Sequence, residues 1–199
     1  IAVAAGGSHS LALQSDSTVT GWGLNDYGQS SPPTSASNVV ELACGNLHSA
    51  ALRADGTVVA WGFNGSGETN VPTNLSNVIA LAAGSYHTLA LKNNGTVVGW
   101  GAGVIGPARS VPANLTNVVA IEGGGDHSIA LKSDGTVIAW GDNYSGQTNV
   151  PVQLSNAVAV GAGGSHSLVL MTNGTLAAWG YNFYGQTNLP IGLSNVVAI

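Results

Sequence analysis

The stretch that decides the fold is Gly123-Gly-Gly-Asp-His-Ser-Ile-Ala-Leu-Lys-Ser-Asp-Gly-Thr-Val-Ile-Ala-Trp-Gly141. It holds two short runs rich in β-branched and apolar residues, His127-Ser-Ile-Ala-Leu131 and Thr136-Val-Ile-Ala-Trp-Gly141, joined by Ser133-Asp-Gly135. Strand-length runs bounded by Gly, Asp and Asn, with no 3.6-residue period, read as a β-hairpin. A third run, Asn117-Val-Val-Ala-Ile121, precedes the Gly-rich turn, and a polar loop ending near Pro151 follows.

The same phrase recurs along the whole chain. His9, His48, His87, His127 and His166 are separated by 39, 39, 40 and 39 residues, and each stands 13 residues before Trp22, Trp61, Trp100, Trp140 or Trp179. A fixed period in the 20 to 50 residue range identifies a repeat architecture. The units run approximately over 1–39, 40–78, 79–118, 119–157 and 158–196, as one repeat domain covering 1–199. Asp55-Gly56, Asn94-Gly95, Asp134-Gly135 and Asn173-Gly174 supply the positive φ of tight hairpins, whereas the first unit has Asp16-Ser17 and so the least favourable turn. A sheet of three or four short antiparallel strands cannot bury both faces alone, so neighbouring units must shield one another. One large Trp per unit favours radial stacking, and the expected fold is an all-β propeller with every Trp buried to the same depth. Five units suit either a five-unit ring or a segment of a larger, seven-bladed one.

Composition bounds the function. Charged residues make up 7% of the chain and the net charge is −5, with Arg53, Lys92, Arg109 and Lys132 the only cations, so no basic stripe exists to bind a nucleic-acid backbone. The chain has no apolar run long enough for a membrane-spanning helix. One cysteine, Cys44, excludes an intrachain disulfide and a multi-cysteine zinc site, and its alignment with Ala5, Ala83, Gly123 and Ala162 marks it as a small core residue. Low charge with abundant Asn, Ser, Thr and Gly suggests an extracellular bacterial protein. The absence of an initiator Met suggests a mature or excised segment.

The pattern Ala83-Gly-Ser-Tyr-His-Thr-Leu-Ala-Leu-Lys92, followed by Gly95-Thr-Val-Val-Gly-Trp-Gly101, resembles the regulator of chromosome condensation repeat. The continuation Trp140-Gly-Asp-Asn-Tyr-Ser-Gly-Gln-Thr-Asn-Val-Pro151 is similar to the secreted bacterial branch typified by β-lactamase inhibitory protein type II. The resemblance implies a propeller, usually of seven blades, and for the secreted branch protein binding through aromatic residues on loops at one face. The eukaryotic branch includes a nucleotide-exchange factor with an inserted β-wedge; this chain has no insertion longer than one residue, in 106–112, so exchange activity is not carried over.

No motif points to catalysis, a metal or a cofactor. Five His on five blades are too far apart for one coordination sphere, and each is expected to be a structural imidazole bonded to backbone at a blade junction. Gly101-Ala-Gly-Val-Ile-Gly106 matches a dinucleotide fingerprint, but Pro107-Ala-Arg-Ser-Val-Pro112 follows where a helix is needed. Ser10, Ser49, Thr88, Ser128 and Ser167 follow the His, but adjacent strand residues point to opposite faces, and an active site repeated five times is not a credible catalytic centre. The literal glycosylation sequons at Asn64, Asn74, Asn94, Asn114, Asn143 and Asn173 arise mostly from the repeat itself.

The differences between units carry the functional signal, since a repeat scaffold keeps its core and varies its binding loops. The variable positions place Tyr27, Leu47, Tyr86, Val104, Ile105, Tyr144, Phe183 and Tyr184 in loops that would otherwise be polar. Tyr and other aromatics are enriched at binding hot spots. The expected function is a non-enzymatic module that binds a protein or a surface glycan through these loops, with no nucleic-acid partner. The alternative is a structural or assembly module within a larger extracellular polypeptide or fibre. The loop 102–109, which replaces the repeat's Asn by Gly103 and its Gln by Pro107 and gains one residue, is expected to depart most from its equivalents.

Overall fold

The computed structural model describes residues 1–101 and 110–199; Val104, Ile105 and the expected divergence of loop 102–109 lie outside the described residues. The described chain is all-β, without a helix, and forms five separate three-stranded antiparallel sheets. The first comprises β1 (Ala2–Ala5), β2 (His9–Leu13) and β3 (Val19–Gly23), and the second β4 (Val39–Cys44), β5 (His48–Arg53) and β6 (Val58–Gly62). Then come β7 (Val78–Ala83), β8 (His87–Lys92), β9 (Val97–Gly101); β10 (Val118–Gly123), β11 (His127–Lys132), β12 (Val137–Gly141); and β13 (Ala157–Ala162), β14 (His166–Met171), β15 (Leu176–Gly180). Each blade therefore has three strands, with its His and Trp in nearly the same register: Ser49 faces Trp61 and Ser128 faces Trp140.

Blades pack sheet on sheet. Leu89, Leu91 and Val97 of the third blade bury themselves against Val118, Ile121, Ala130 and Trp140 of the fourth, and each pair of neighbours repeats this joint with its own residues. The middle strands β5, β8 and β11 are covered on both sides and are almost wholly buried, whereas β1 keeps an exposed face. At one end of each blade, the hairpin turn anchors the next: Val78 N donates to Gly56 O, and Val118 N to Gly95 O. The Asn before β4, β7, β10 and β13, Asn38, Asn77, Asn117 and Asn156, and the equivalent Asn195 take a positive φ of 53–59° that the short polar side chain tolerates. Ser17 stands where the other units have Gly and is held at φ 64°.

The expectation of five equally deep indoles is not met. Trp61, Trp100, Trp140 and Trp179 are buried, but Trp22 is 52% exposed. Each buried Trp is covered by the blade before it, and Trp22 belongs to the first described blade. Among the described residues β1 pairs only with β2 and β15 only with β14, and no strand pairing joins the first blade to the last.

Candidate binding rim

Antiparallel pairing brings two loops to the same end of each blade. In the second, β5 begins where β6 ends, with His48 opposite Gly62, and Phe63 N donates to Leu47 O across the two loops. The turn before the middle strand and the loop after the Trp thus form one rim of the propeller. The hairpin turns at 55–56, 94–95, 134–135 and 173–174 form the opposite rim.

The joint beneath the rim explains the repeated polar residues. His9 Nε2 lies 2.8 Å from Ser49 Oγ of the next blade, and the equivalent pairs are His48–Thr88 at 3.0 Å, His87–Ser128 at 2.9 Å and His127–Ser167 at 3.0 Å. Ser49 Oγ donates at 2.9 Å to the carbonyl of Gln29, and Trp61 Nε1 donates to the same oxygen at 2.9 Å. Thr88 and Trp100 converge on Glu68 O in the same way, and Ser167 and Trp179 on Gln147 O. Because the hydroxyl proton goes to a carbonyl, the ring must donate through Nε2–H, which fixes the tautomer. Four imidazoles, those of His9, His48, His87 and His127, thus bond a hydroxyl of the next blade, a correction to the expected backbone partner: adjacent residues do point to opposite faces, and that is what turns each Ser or Thr toward its neighbour's His. The pairs are buried, with the hydroxyl proton directed away from the imidazole, so they have a joint's geometry and not an activated nucleophile's.

Burial keeps these rings neutral. Desolvation lowers the pKa of His48, His87 and His127 to about 4, with neighbouring His adding to it in each case, and it also lowers that of His9. The Cε1–Nδ1 edge of each ring abuts a Gly of its own blade. A Cβ on Gly84 would overlap the His87 ring and the Gly124 carbonyl at once. Burial raises the Cys44 thiol to about 11, leaving it a poor nucleophile. Among the described residues no group of three or more His, Cys, Asp or Glu could hold a metal ion. The axial cavity, about 270 Å³, is lined only by Gly, Ala, Ser, Asn and Cys44, and offers neither a charge nor a large apolar contact.

The rim offers both. Its loops are clamped by their own side chains: Asn143 Oδ1 accepts from Thr148 N and its Nδ2 donates to Asn149 Oδ1, while Gln147 Oε1 accepts from Ser145 N. The blade with Asn182 and Gln186 repeats the set, and the first and second do so with Gln29 and Glu68 in the Gln position. Clamping at both ends holds the residues between the Asn and the Gln at the loop tip, where the aromatic ones are displayed. Tyr144 is 93% exposed, Phe183 78% and Tyr184 82%; Tyr27 is 51% exposed, while Tyr86 and Leu47 are half-buried in the inner turns. Phe183 and Tyr184 meet edge to face at 5.0 Å, and both also contact Tyr181; Tyr27 meets Phe63 at 4.9 Å. Phe63 and Tyr181 escaped the sequence reading because they directly follow the Trp-Gly pair, a position occupied elsewhere by Leu24 and Asp142. The buried Gln29 and Gln147 were missed too, although Gly-Gln recurs in three of the loops.

The regulator of chromosome condensation (RCC1) repeat model matches residues 1–29, 39–68, 78–104, 118–147 and 157–186, most of the chain. This chain belongs to that repeat family. No protein of curated function matches its sequence. Among solved structures, Prp20p of Saccharomyces cerevisiae, described with its binding to Gsp1p and histones, is 26% identical with a TM-score of 0.78 over 95% of this chain. The yeast RCC1 protein bound to Kap60 is 28% identical, TM-score 0.75, over 96%. The CR4 receptor-kinase ectodomain of Physcomitrella patens, at 22% identity and TM-score 0.75, shares the fold. This RCC1-repeat chain spans 59% of the length of the two yeast chains.

Proposed function

We propose that this RCC1-repeat propeller is a non-enzymatic protein-binding module whose contact surface is the aromatic rim. The observation that carries the reading is Tyr144, Phe183 and Tyr184 held in open solvent on loops whose backbones are clamped by Asn and Gln side chains. Leaving large rings exposed on rigid loops lowers the ordering cost of a later contact. Structural neighbours bind proteins, which supports a protein over a glycan as the partner. The finer resemblance to the secreted bacterial branch agrees with the rim, and an extracellular setting agrees with the low charge and the inert thiol of Cys44.

The test is affinity capture and crosslinking with the wild-type chain, the Tyr144→Ala/Phe183→Ala double variant and an opposite-rim control, Asn94→Ala. A partner lost by the first variant and kept by the second supports the rim, with each hot-spot ring contributing about 1–2 kcal/mol. Equal capture by all three refutes it.

A further inference from the structure

The rim is charged as well as aromatic, and among the described residues its charge has one sign. β5, β8 and β11 each end on a cation, Arg53, Lys92 and Lys132, and all three point the chain toward the hairpin turns, away from the aromatic loops. There Arg53 donates to Ser35 O and Thr57 Oγ1, and Lys132 pairs with Asp134 at 3.3 Å. Arg109 lies outside the described residues. On the aromatic rim stand Asp26, directly before Tyr27, Asp126, directly before His127, and Asp142, two residues before Tyr144. Asp26 is exposed. The Asp142 carboxylate is oriented by neutral donors, Tyr144 N at 3.3 Å and Gln147 Nε2 at 2.6 Å, which fix its position without cancelling its charge. Described cations and exposed aromatics thus occupy opposite rims, and carboxylates accompany the aromatics.

We infer that the rim recognises a cationic protein segment, rich in arginine or lysine. This rests on the rim reading above and adds the partner's chemistry. A guanidinium can stack on a Tyr or Phe face while it pairs with a carboxylate beside that ring, so Tyr27 with Asp26 and Tyr144 with Asp142 present the two acceptors such a group uses together. An acidic partner meets like charge, and a neutral glycan uses the rings but gains nothing from the fixed carboxylates. The hairpin rim, where Asp16, Asp55 and Asp134 are each hydrogen-bonded within their own turn and no described large aromatic is displayed, lacks the pairing.

The test is fluorescence anisotropy with a labelled peptide of alternating Arg and Gly, against a Glu-Gly peptide of equal length and a neutral oligosaccharide as competitor. The Arg peptide should bind, and weaken markedly as salt is raised so that exposed charges are screened beyond about 8 Å. Asp26→Asn/Asp142→Asn should weaken it about tenfold, the equivalent of about 1.4 kcal/mol. Asp16→Asn/Asp55→Asn removes the same charge from the opposite rim and should leave binding within about twofold; Asn94 and Asn173 already occupy that turn position in other units. Asp26→Lys, at an exposed site, covers the case in which the Asp142 variant fails to fold. Equal losses from the two rims, binding of the Glu peptide, or displacement by the oligosaccharide would overturn the inference. Absence of peptide binding while the captured partner still depends on Tyr144 and Phe183 overturns the cationic assignment alone. Charge-dependent binding that survives loss of both rings overturns the rim reading with it.

Discussion

Ser17 is the residue at which local preference and fold disagree most plainly. Its φ of 64° is the left-handed conformation that Gly56, Gly95, Gly135 and Gly174 adopt without a Cβ penalty, and Ser17 O must still receive Val39 N to anchor the second blade. Ser17→Gly should therefore stabilise the chain by about 0.5–1 kcal/mol, read as a shift of the urea midpoint at unchanged slope. Gly84 shows the opposite case, since its substitution is forbidden by space. Gly84→Ala should cost about 1–3 kcal/mol as the His87 ring or the Gly124 carbonyl is displaced, with a matching fall in the same midpoint.

At the scale of the blade, one Trp does two jobs that can be separated. Trp100 fills the gap to the second blade among Ala43, Ala50 and Leu52 and donates to Glu68 O, whereas Trp22 has the same place in its sheet and stays half-exposed. Trp100→Ala should cost about 3–5 kcal/mol, and Trp22→Ala less than about 1 kcal/mol, in equilibrium unfolding. Acrylamide should quench one indole of the five readily in the wild type and none in Trp22→Ala. The blade was legible in sequence because the turn glycines, the strand-length run His48-Ser-Ala-Ala-Leu52 and the Trp at constant offset all encode one hairpin. The partner of each His was not legible. A hydrogen bond between residues about 40 apart follows from the stacking of two sheets, and neither unit contains it alone.

For the whole molecule, the row of buried imidazoles makes stability depend on pH. His48, His87 and His127 have folded pKa values near 4 against 6.5 for free imidazole, so the unfolded chain binds protons first as pH falls. Their contribution is complete above pH 6.5, declines between 6.5 and about 4, and reaches its floor below that. Glu41 and Glu122 have the opposite sign, since burial raises both; they favour the fold at low pH and offset part of the loss. The net expectation is a unfolding midpoint that falls from pH 7 to pH 4, with three protonations the steepest component. A midpoint flat across that range, or NMR titrations of His48, His87 and His127 near 6.5 in the folded state, would contradict the buried joint.

The sequence by itself determined the all-β repeat, its period, its hairpins and the variable loops that carry Tyr27, Tyr144, Phe183 and Tyr184, because strand alternation and turn chemistry are local and are written five times. Tertiary structure decided what depends on neighbours: that His9 reaches Ser49 across a joint, that Trp22 is open while four other indoles are covered, and that Phe63 and Tyr181 join the displayed aromatics. It also decided the separation of charge, since Lys92 and Tyr86 are six residues apart in sequence yet stand on opposite rims. The physical reason is that a period of two tells which side of a strand a residue takes, whereas which end of the blade faces a partner, and what covers each face, is fixed only when the sheets stack.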